Sequence, residues 1–292
     1  MERLEPTGVN APQITYWNGP AGDKWARLTD IQDEILEAVG LTAMDACDIR
    51  PGHSVLDVGC GSGTTTFEIA HRVGDKGRVV GIDISTPLLD VGRARLDALQ
   101  IDRVTLENRD VATFPFESGS FDRVYSRFGV MFFVDPVAAF ANLRSGMKAG
   151  GRIVFVCWQK LNKNPWMEIP LRIALQHLPP PPPPEPGTPG PLAFADPEPV
   201  RRILTSAGFE GLVIEPLEAL FAFGPDVPTA VDRLIQMGPA SRLLSKASED
   251  TIAKVSNELG NAIADCRTDS GVEIGGATYP AYNMTMSLKA EA

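Results

Sequence analysis

Apolar runs long enough to cross a bilayer are missing from this sequence. Although 43% of its 292 residues are hydrophobic, nowhere do the roughly 18 to 20 consecutive apolar residues of a membrane helix occur. The chain reads as soluble, with no stable membrane insertion. The opening MERLEPTGVN holds acids and a proline where a secretory leader needs a basic start and an apolar run, so no export is expected. Cysteine is sparse: Cys47, Cys60, Cys157 and Cys266 lack paired spacing, which speaks against a disulfide framework or a metal site and for a reducing cytoplasm. Runs of Lys or Arg are absent too. With 27 basic against 37 acidic residues and a net charge of −10, a partner read through its phosphate backbone, such as nucleic acid, is not expected. The acidity makes the chain self-repelling; it names no substrate.

Histidine is scarcer still. His53 precedes the first strand, His71 sits on a helix and His177 abuts a proline run, where it could approach a lid; no catalytic base is assigned. The proline-rich segment 177–191, HLPPPPPPEPGTPGP, can be neither helix nor central strand, because proline lacks the amide donor and fixes its own torsion. It reads as a stiff polyproline-like connector, with docking to a proline-binding domain as the alternative.

What the sequence does contain is a strand and helix rhythm. LTDIQDEILEAVG spaces Leu28, Ile31, Ile35 and Val39 by three and four, giving a packing helix whose Asp30, Asp33 and Glu37 point elsewhere. Strands are expected at 54–58, 78–83, 104–108, 121–126 and 152–158. Helices lie between them: Ser85 or Thr86 and Pro87 start one with Leu88, Gly92, Leu96 and Leu99 on one side, and Asp135 and Pro136 start another whose stripe Phe140, Leu143 and Met147 ends at Gly150 and Gly151. Asp196 caps a short helix ended by Gly208. A strand over 212–223, a helical stretch over 229–266 and a last strand over 278–289 follow; Pro280 restricts pairing in that strand to the residues after it. This alternation predicts a parallel sheet covered on both faces, with its ligand outside the carboxyl ends of the strands.

The segment VLDVGCGSGTTT, 55–66, decides which ligand. A dinucleotide fingerprint wants G-x-G-x-x-G, but after Gly59 and Gly61 the third position holds Thr64, with Gly63 one place early. A phosphate loop wants a lysine, and none lies between Asp57 and Arg72. Asp57, two residues before the first glycine, would stand beside a pyrophosphate at electrostatic cost and suits an ammonium or sulfonium instead. A nucleoside without phosphates remains. Asp83, at the end of the second strand, can accept both ribose hydroxyls, and Asp110, after the third, can accept from an adenine amino group.

These residues resemble the class I S-adenosylmethionine-dependent methyltransferases, especially their bacterial quinone and small-molecule methylating group. VLDVGCGSGTTT is similar to the first motif, GIDIS to the ribose-binding acid, NRDVATFPFESGSFDRVYSRFGVMFFVDP to the adenine-binding acid and fourth strand, and LRSGMKAGGRIVFVCW to the fifth. The resemblance is strongest over 50–160. It implies one α/β domain over 1–292: a Rossmann-like, doubly wound, seven-stranded sheet whose last strand runs antiparallel, with an N-terminal helical cap (1–50) and lid-like insertions (159–197 and 225–270). It implies S-adenosyl-L-methionine as cofactor, with S-adenosyl-L-homocysteine as product. Gly59 and the loop through Thr64 would lie against the methionine part, Gly61 and Gly63 permitting close approach and Asp57 anchoring nearby. Asp83 would bind the ribose, Ile84 and Leu88 flank the adenine, Asp110 and Val111 contact its edge, and Arg127 face the methionine amino group through its backbone.

The acceptor is then a small, partly apolar molecule, methylated by in-line displacement in which alignment and exclusion of water matter more than acid-base chemistry. Tyr16, Trp17, Phe128, Phe132 and Trp166 are the candidates to line its pocket. A quinone or lipid precursor as acceptor, and a regulatory protein that binds S-adenosylmethionine without turnover, are the alternatives.

Overall fold

The structure, a computed structural model, describes residues 4–183, 185 and 187–283. Three helices, α1 (Ala11–Trp17), α2 (Pro20–Arg27) and α3 (Thr29–Ala46), precede the first strand. α3 buries Ile35 and Val39 as its spacing predicts, and Leu28, just before it, is buried as well. Then β1 (Ser54–Val58), α4 (Thr64–Val73), β2 (Arg78–Asp83), α5 (Thr86–Leu99), β3 (Val104–Asn108), β4 (Phe121–Arg127), α6 (Pro136–Ser145) and β5 (Met147–Trp158) alternate. Every residue of β1 is buried, as a central strand covered on both faces requires. The helix starts are those the sequence marks: Ser85 accepts from the amide of Leu88, Asp135 from Ala138, and Asp196 from Glu198 at the start of α8 (below).

The remaining elements are α7 (Pro165–His177), α8 (Pro197–Ser206), β6 (Leu212–Ile214), β7 (Leu217–Gly224), α9 (Val227–Gln236), α10 (Gly238–Leu244), α11 (Glu249–Ala262), β8 (Arg267–Thr268) and β9 (Gly271–Asn283). The sheet runs β3-β2-β1-β4-β5-β9-β6, parallel through β5, with β9 antiparallel between β5 and β6. The strand order reverses between β1 and β4. This is the doubly wound sheet with one antiparallel strand.

Several local expectations need correction. The path β3-β2-β1-β4-β5-β9-β6 is the expected seven-stranded sheet, and two further strands, β7 and β8, pair with β9 off that path. The stretch 212–223 is two strands: Pro216 cannot donate to the ladder, so β6 ends at Ile214 and β7 starts at Leu217. β9 begins at Gly271 and runs through Pro280, which lies opposite Val156. Proline is tolerated there because its carbonyl accepts from Glu215; its missing N–H faces the same side, where β6 gives way to Pro216. Residues 284–289 of the expected strand lie outside the described residues. α6 stops at Ser145, so Met147 opens β5, and Leu99 is 53% exposed on α5.

Because Trp158 pairs with Thr278, the first half of β9 extends past the end of β5 and carries β7 with it. A two-stranded ribbon thus projects beyond the carboxyl edge of the sheet. α9, α10 and α11 lie between its two strands in sequence. No helix among the described residues is long and apolar enough to cross a membrane.

Candidate functional site

The loop after β1 is shaped by backbone that side chains would obstruct. Gly59 has φ +68°, and a Cβ there would stand 2.8 Å from the Cα of Gly129, so the tips of β1 and β4 touch where the strand order reverses. Gly61 has φ +55°, and a Cβ on it would meet nothing nearer than the Cδ1 of Leu88 at 3.9 Å. It is left-handed with open space beside it, as a loop approached by a ligand needs. Gly63 caps α4, whose first turn supplies Thr65 and Thr66; both hydroxyls donate to Asp57 Oδ2 at 2.7 Å. Asp57 is fully buried beneath the loop, which raises its carboxyl pKa, and its Oδ1 has no hydrogen-bond partner among the described residues.

Asp83 stands at the end of β2. Its Oδ2 accepts from the amide of Gly61 at 2.8 Å and its Oδ1 from the amide of Ser85 at 2.7 Å. Burial pushes the carboxyl up to about 6, against the pull of those amides. It therefore ties the glycine loop to α5 and keeps its remaining lone pairs for a ligand. Leu88 is buried beside it, and the carbonyl of Ile84 accepts from Asn18.

Asp110, expected to meet an adenine amino group, is already engaged: both its oxygens accept from Nδ2 of Asn10 at 2.8 Å, and Oδ1 also accepts from the amide of Ala112. Only residual lone pairs are open to a ligand. Val111 is buried next to it. Asn10 belongs to an N-terminal segment that lies on the strand tips. The amide of Leu4 donates to Asn108, Asn18 accepts from the amide of Thr86 at 2.9 Å, and the carbonyl of Trp17 accepts from the Ser85 hydroxyl at 2.8 Å. Asn10 and Asn18 went unnoticed in the sequence because they precede the sheet by dozens of residues; no local spacing links them to it.

A second omission is Asp33. It does not face away from the sheet. Arg127 donates to its Oδ1 at 2.8 Å and Arg95 to its Oδ2 at 3.0 Å, and Thr64 donates to it as well. The side chain of Arg127 thus runs along α3, a feature its expected backbone role did not include.

Residues 55–151 match the family described as a methyltransferase domain. Over that stretch the chain is similar to methyltransferases. A demethylmenaquinone methyltransferase of Bacillus cereus is 35% identical over 111 residues, which are 38% of this chain and 47% of that protein. Relatives of the same name in Bacillus anthracis match to the same extent, so the chain spans about half the length of these curated relatives. In fold, the chain resembles phosphoethanolamine N-methyltransferase 2 of Haemonchus contortus, solved with S-adenosyl-L-methionine, at TM-score 0.59, 16% identity and coverage of 95% of this chain and 60% of that one. The YcgJ protein of Bacillus subtilis gives TM-score 0.53 at 15% identity over 84% and 97% of the two chains.

The cofactor that this similarity implies suits the glycine loop on two counts from the loop's own structure. The open space at Gly61 lets a ligand lie against the backbone, and Asp57 offers a buried acceptor that lacks a partner beneath the first turn of α4.

The five aromatic candidates separate into two groups. Phe128, with φ +60°, stacks on Trp158 at 4.3 Å, and Trp158 meets Trp166 edge-on at 5.1 Å; both rings are packed into the core. The indole N–H of Trp166 has no acceptor among the described residues. Trp17 meets Phe132 edge-on at 5.0 Å at the tips occupied by the N-terminal segment, while Tyr16 is 38% exposed and bonds to Arg242 of α10. His177 bonds to Glu258 at 3.0 Å, fastening α7 to α11 at the surface.

Proposed function

We propose that the protein transfers a methyl group from S-adenosylmethionine to a small, partly apolar acceptor. The observation that carries this reading is Asp83 at the end of β2, which accepts from the Gly61 amide of a loop without a lysine to neutralise phosphates, with Asp110 following the neighbouring strand β3. When bound, the cofactor supplies an electrophilic methyl group on a sulfonium. The protein's residues bind and orient: Asp83 holds the ribose hydroxyls, Ile84 and Leu88 flank the base, Asp110 and Val111 read its edge, and Gly59, Gly61, Gly63 and Thr64 approach the tail. Asp57 balances positive charge from beneath. Residues 159–197 and 225–270 act as lids that exclude water and select the acceptor.

A quinone-like acceptor is the narrower reading, supported by the relatives named demethylmenaquinone methyltransferases. Calorimetry with S-adenosylmethionine and S-adenosylhomocysteine, followed by a methyl-release assay across phenols, quinols and amines, tests both levels. Binding with turnover of a quinol is the expected result. Binding without turnover on any acceptor would make this a regulatory binding protein, and enhanced NADH fluorescence on mixing would overturn the cofactor assignment.

A further inference from the structure

The chain from Leu4 to Asn18 meets one side of the candidate site. Nδ2 of Asn10 donates to both oxygens of Asp110 at 2.8 Å, and its Oδ1 accepts from the amide of Val134 at 3.3 Å. The amide of Leu4 donates to Asn108, while Asn18 donates to the Ile84 carbonyl and accepts from the Thr86 amide. These partners stand at the ends of β2 and β3 and in the loop after β4. Asp83 takes its bonds from elsewhere, the amides of Gly61 and Ser85.

Asn10 is 4% exposed and Asp110 6%, so the carboxamide covers the carboxylate closely. A carboxamide sets an amino donor beside an oxygen acceptor, and an adenine edge sets an amino donor beside a ring-nitrogen acceptor. The two groups make the same demand on Asp110. An adenine amino group reaches the face that Asn10 covers only after the carboxamide has left. The covering chain is lightly anchored: of residues 4–18 only Asn10 and Ile14 are buried, and Val9 is 59% exposed. Gln13, one turn after Asn10, has a buried Oε1 with no hydrogen-bond partner among the described residues, which weakens the closed arrangement. A segment with few buried apolar contacts opens at small cost.

We infer that residues 4–18 form an autoinhibitory strap: the Asn10 carboxamide stands in for an adenine amino group on Asp110, and a nucleoside must displace it to bind. The inference rests on the cofactor reading above and deepens it with a regulation of the same site. The strap meets the base side of that site and leaves the bonds of Asp83, on the ribose side, unchanged. Ligand affinity is lowered in proportion to the fraction of molecules in which the strap is open.

Calorimetry with S-adenosylhomocysteine on the full chain, together with limited proteolysis, tests this. Asn10→Ala removes the bonds to Asp110 and should bind S-adenosylhomocysteine about fivefold or more tightly than the unaltered protein. Asn10→Asp sets a like charge against Asp110 and should gain at least as much. In the unaltered protein, saturating S-adenosylhomocysteine should speed cleavage within residues 4–18 several-fold as the strap is pushed out. Methylthioadenosine, which carries the same base, should do the same. A gain of less than about twofold in both variants, or cleavage slowed by S-adenosylhomocysteine in the unaltered protein, overturns the inference: the segment then completes the site instead of blocking it. Failure of the unaltered protein and both variants to bind S-adenosylhomocysteine would instead remove the cofactor reading, and this inference with it.

Discussion

The sheet from Val55 to Trp158 and the chain that lies across its tips are held by different forces. In the sheet, Val55, Leu56, Ile82, Val124 and Phe155 are at most 2% exposed, so the framework rests on buried apolar surface, at about 25 cal/mol per Å². Across the tips, the N-terminal segment is attached largely by carboxamides and hydroxyls, beside the buried Ile14 and the edge-on contact of Trp17 with Phe132: Asn10 on Asp110, Asn18 on Ile84 and Thr86, and Ser85 on the Trp17 carbonyl. Polar contacts of this kind contribute about 0.5–1.5 kcal/mol each, because water or ligand atoms can replace them. The difference implies a division of labour. The framework fixes where a ligand is gripped, and the covering chain can exchange its contacts when one arrives.

The contrast can be broken hardest at Gly59. Gly59→Ala adds a Cβ at φ +68° and 2.8 Å from the backbone of Gly129. It should cost more than about 2 kcal/mol in a denaturant titration, from left-handed strain plus a clash with rigid backbone. A loss under about 0.5 kcal/mol would show that the tips of β1 and β4 are not rigidly joined.

An intermediate effect should follow pH through Asp83, whose buried carboxyl is pushed up to about 6. A folded value above the unfolded one, about 3.9, means that the folded state favours the neutral acid. This group's contribution to stability is therefore greatest below about pH 4 and declines as pH rises toward 6. Ligand affinity moves the other way, since ribose hydroxyls donate to the ionised form. S-adenosylhomocysteine should bind about fourfold more weakly at about pH 5.5 than at about pH 7.5, in proportion to the ionised fraction. Asp83→Asn should flatten that profile, and Asp83→Ala should weaken binding by more than about threefold at pH 7.5. A pH profile unchanged by Asp83→Asn would remove the ribose assignment.

The smallest effect belongs to the cover. Asn10→Ala removes both bonds to Asp110 and should destabilise the segment by about 1–2 kcal/mol. Limited proteolysis would then cut within residues 4–18 several times faster, while the denaturant midpoint barely moves. A global loss of stability as large as that of Gly59→Ala would erase the distinction between framework and cover.

Much of the framework was legible because its signals are local. Pro87 and Pro136 near helix starts, Ser85, Asp135 and Asp196 as caps, and the unbroken apolar run of β1 each act within a few residues. The glycine spacing and the two strand-end acids were legible for the same reason. Position along the chain gave no warning that Asp33 faces Arg127, 94 residues away, or that Asn10 faces Asp110, 100 residues away. The break at Pro216 and the run of β9 through Pro280 were hidden likewise, since whether a missing amide matters depends on what lies opposite it.

By itself, the sequence determined the order of strands and helices, the left-handed loop and the chemical type of each strand-end acid, because torsional preference and apolar periodicity are properties of neighbouring residues. Which partner each charge meets was decided only by the tertiary structure. Side chains from α3, α4, α5 and β4 converge only once the sheet has fixed the distances among them, and electrostatic pairing depends on those distances rather than on separation along the chain.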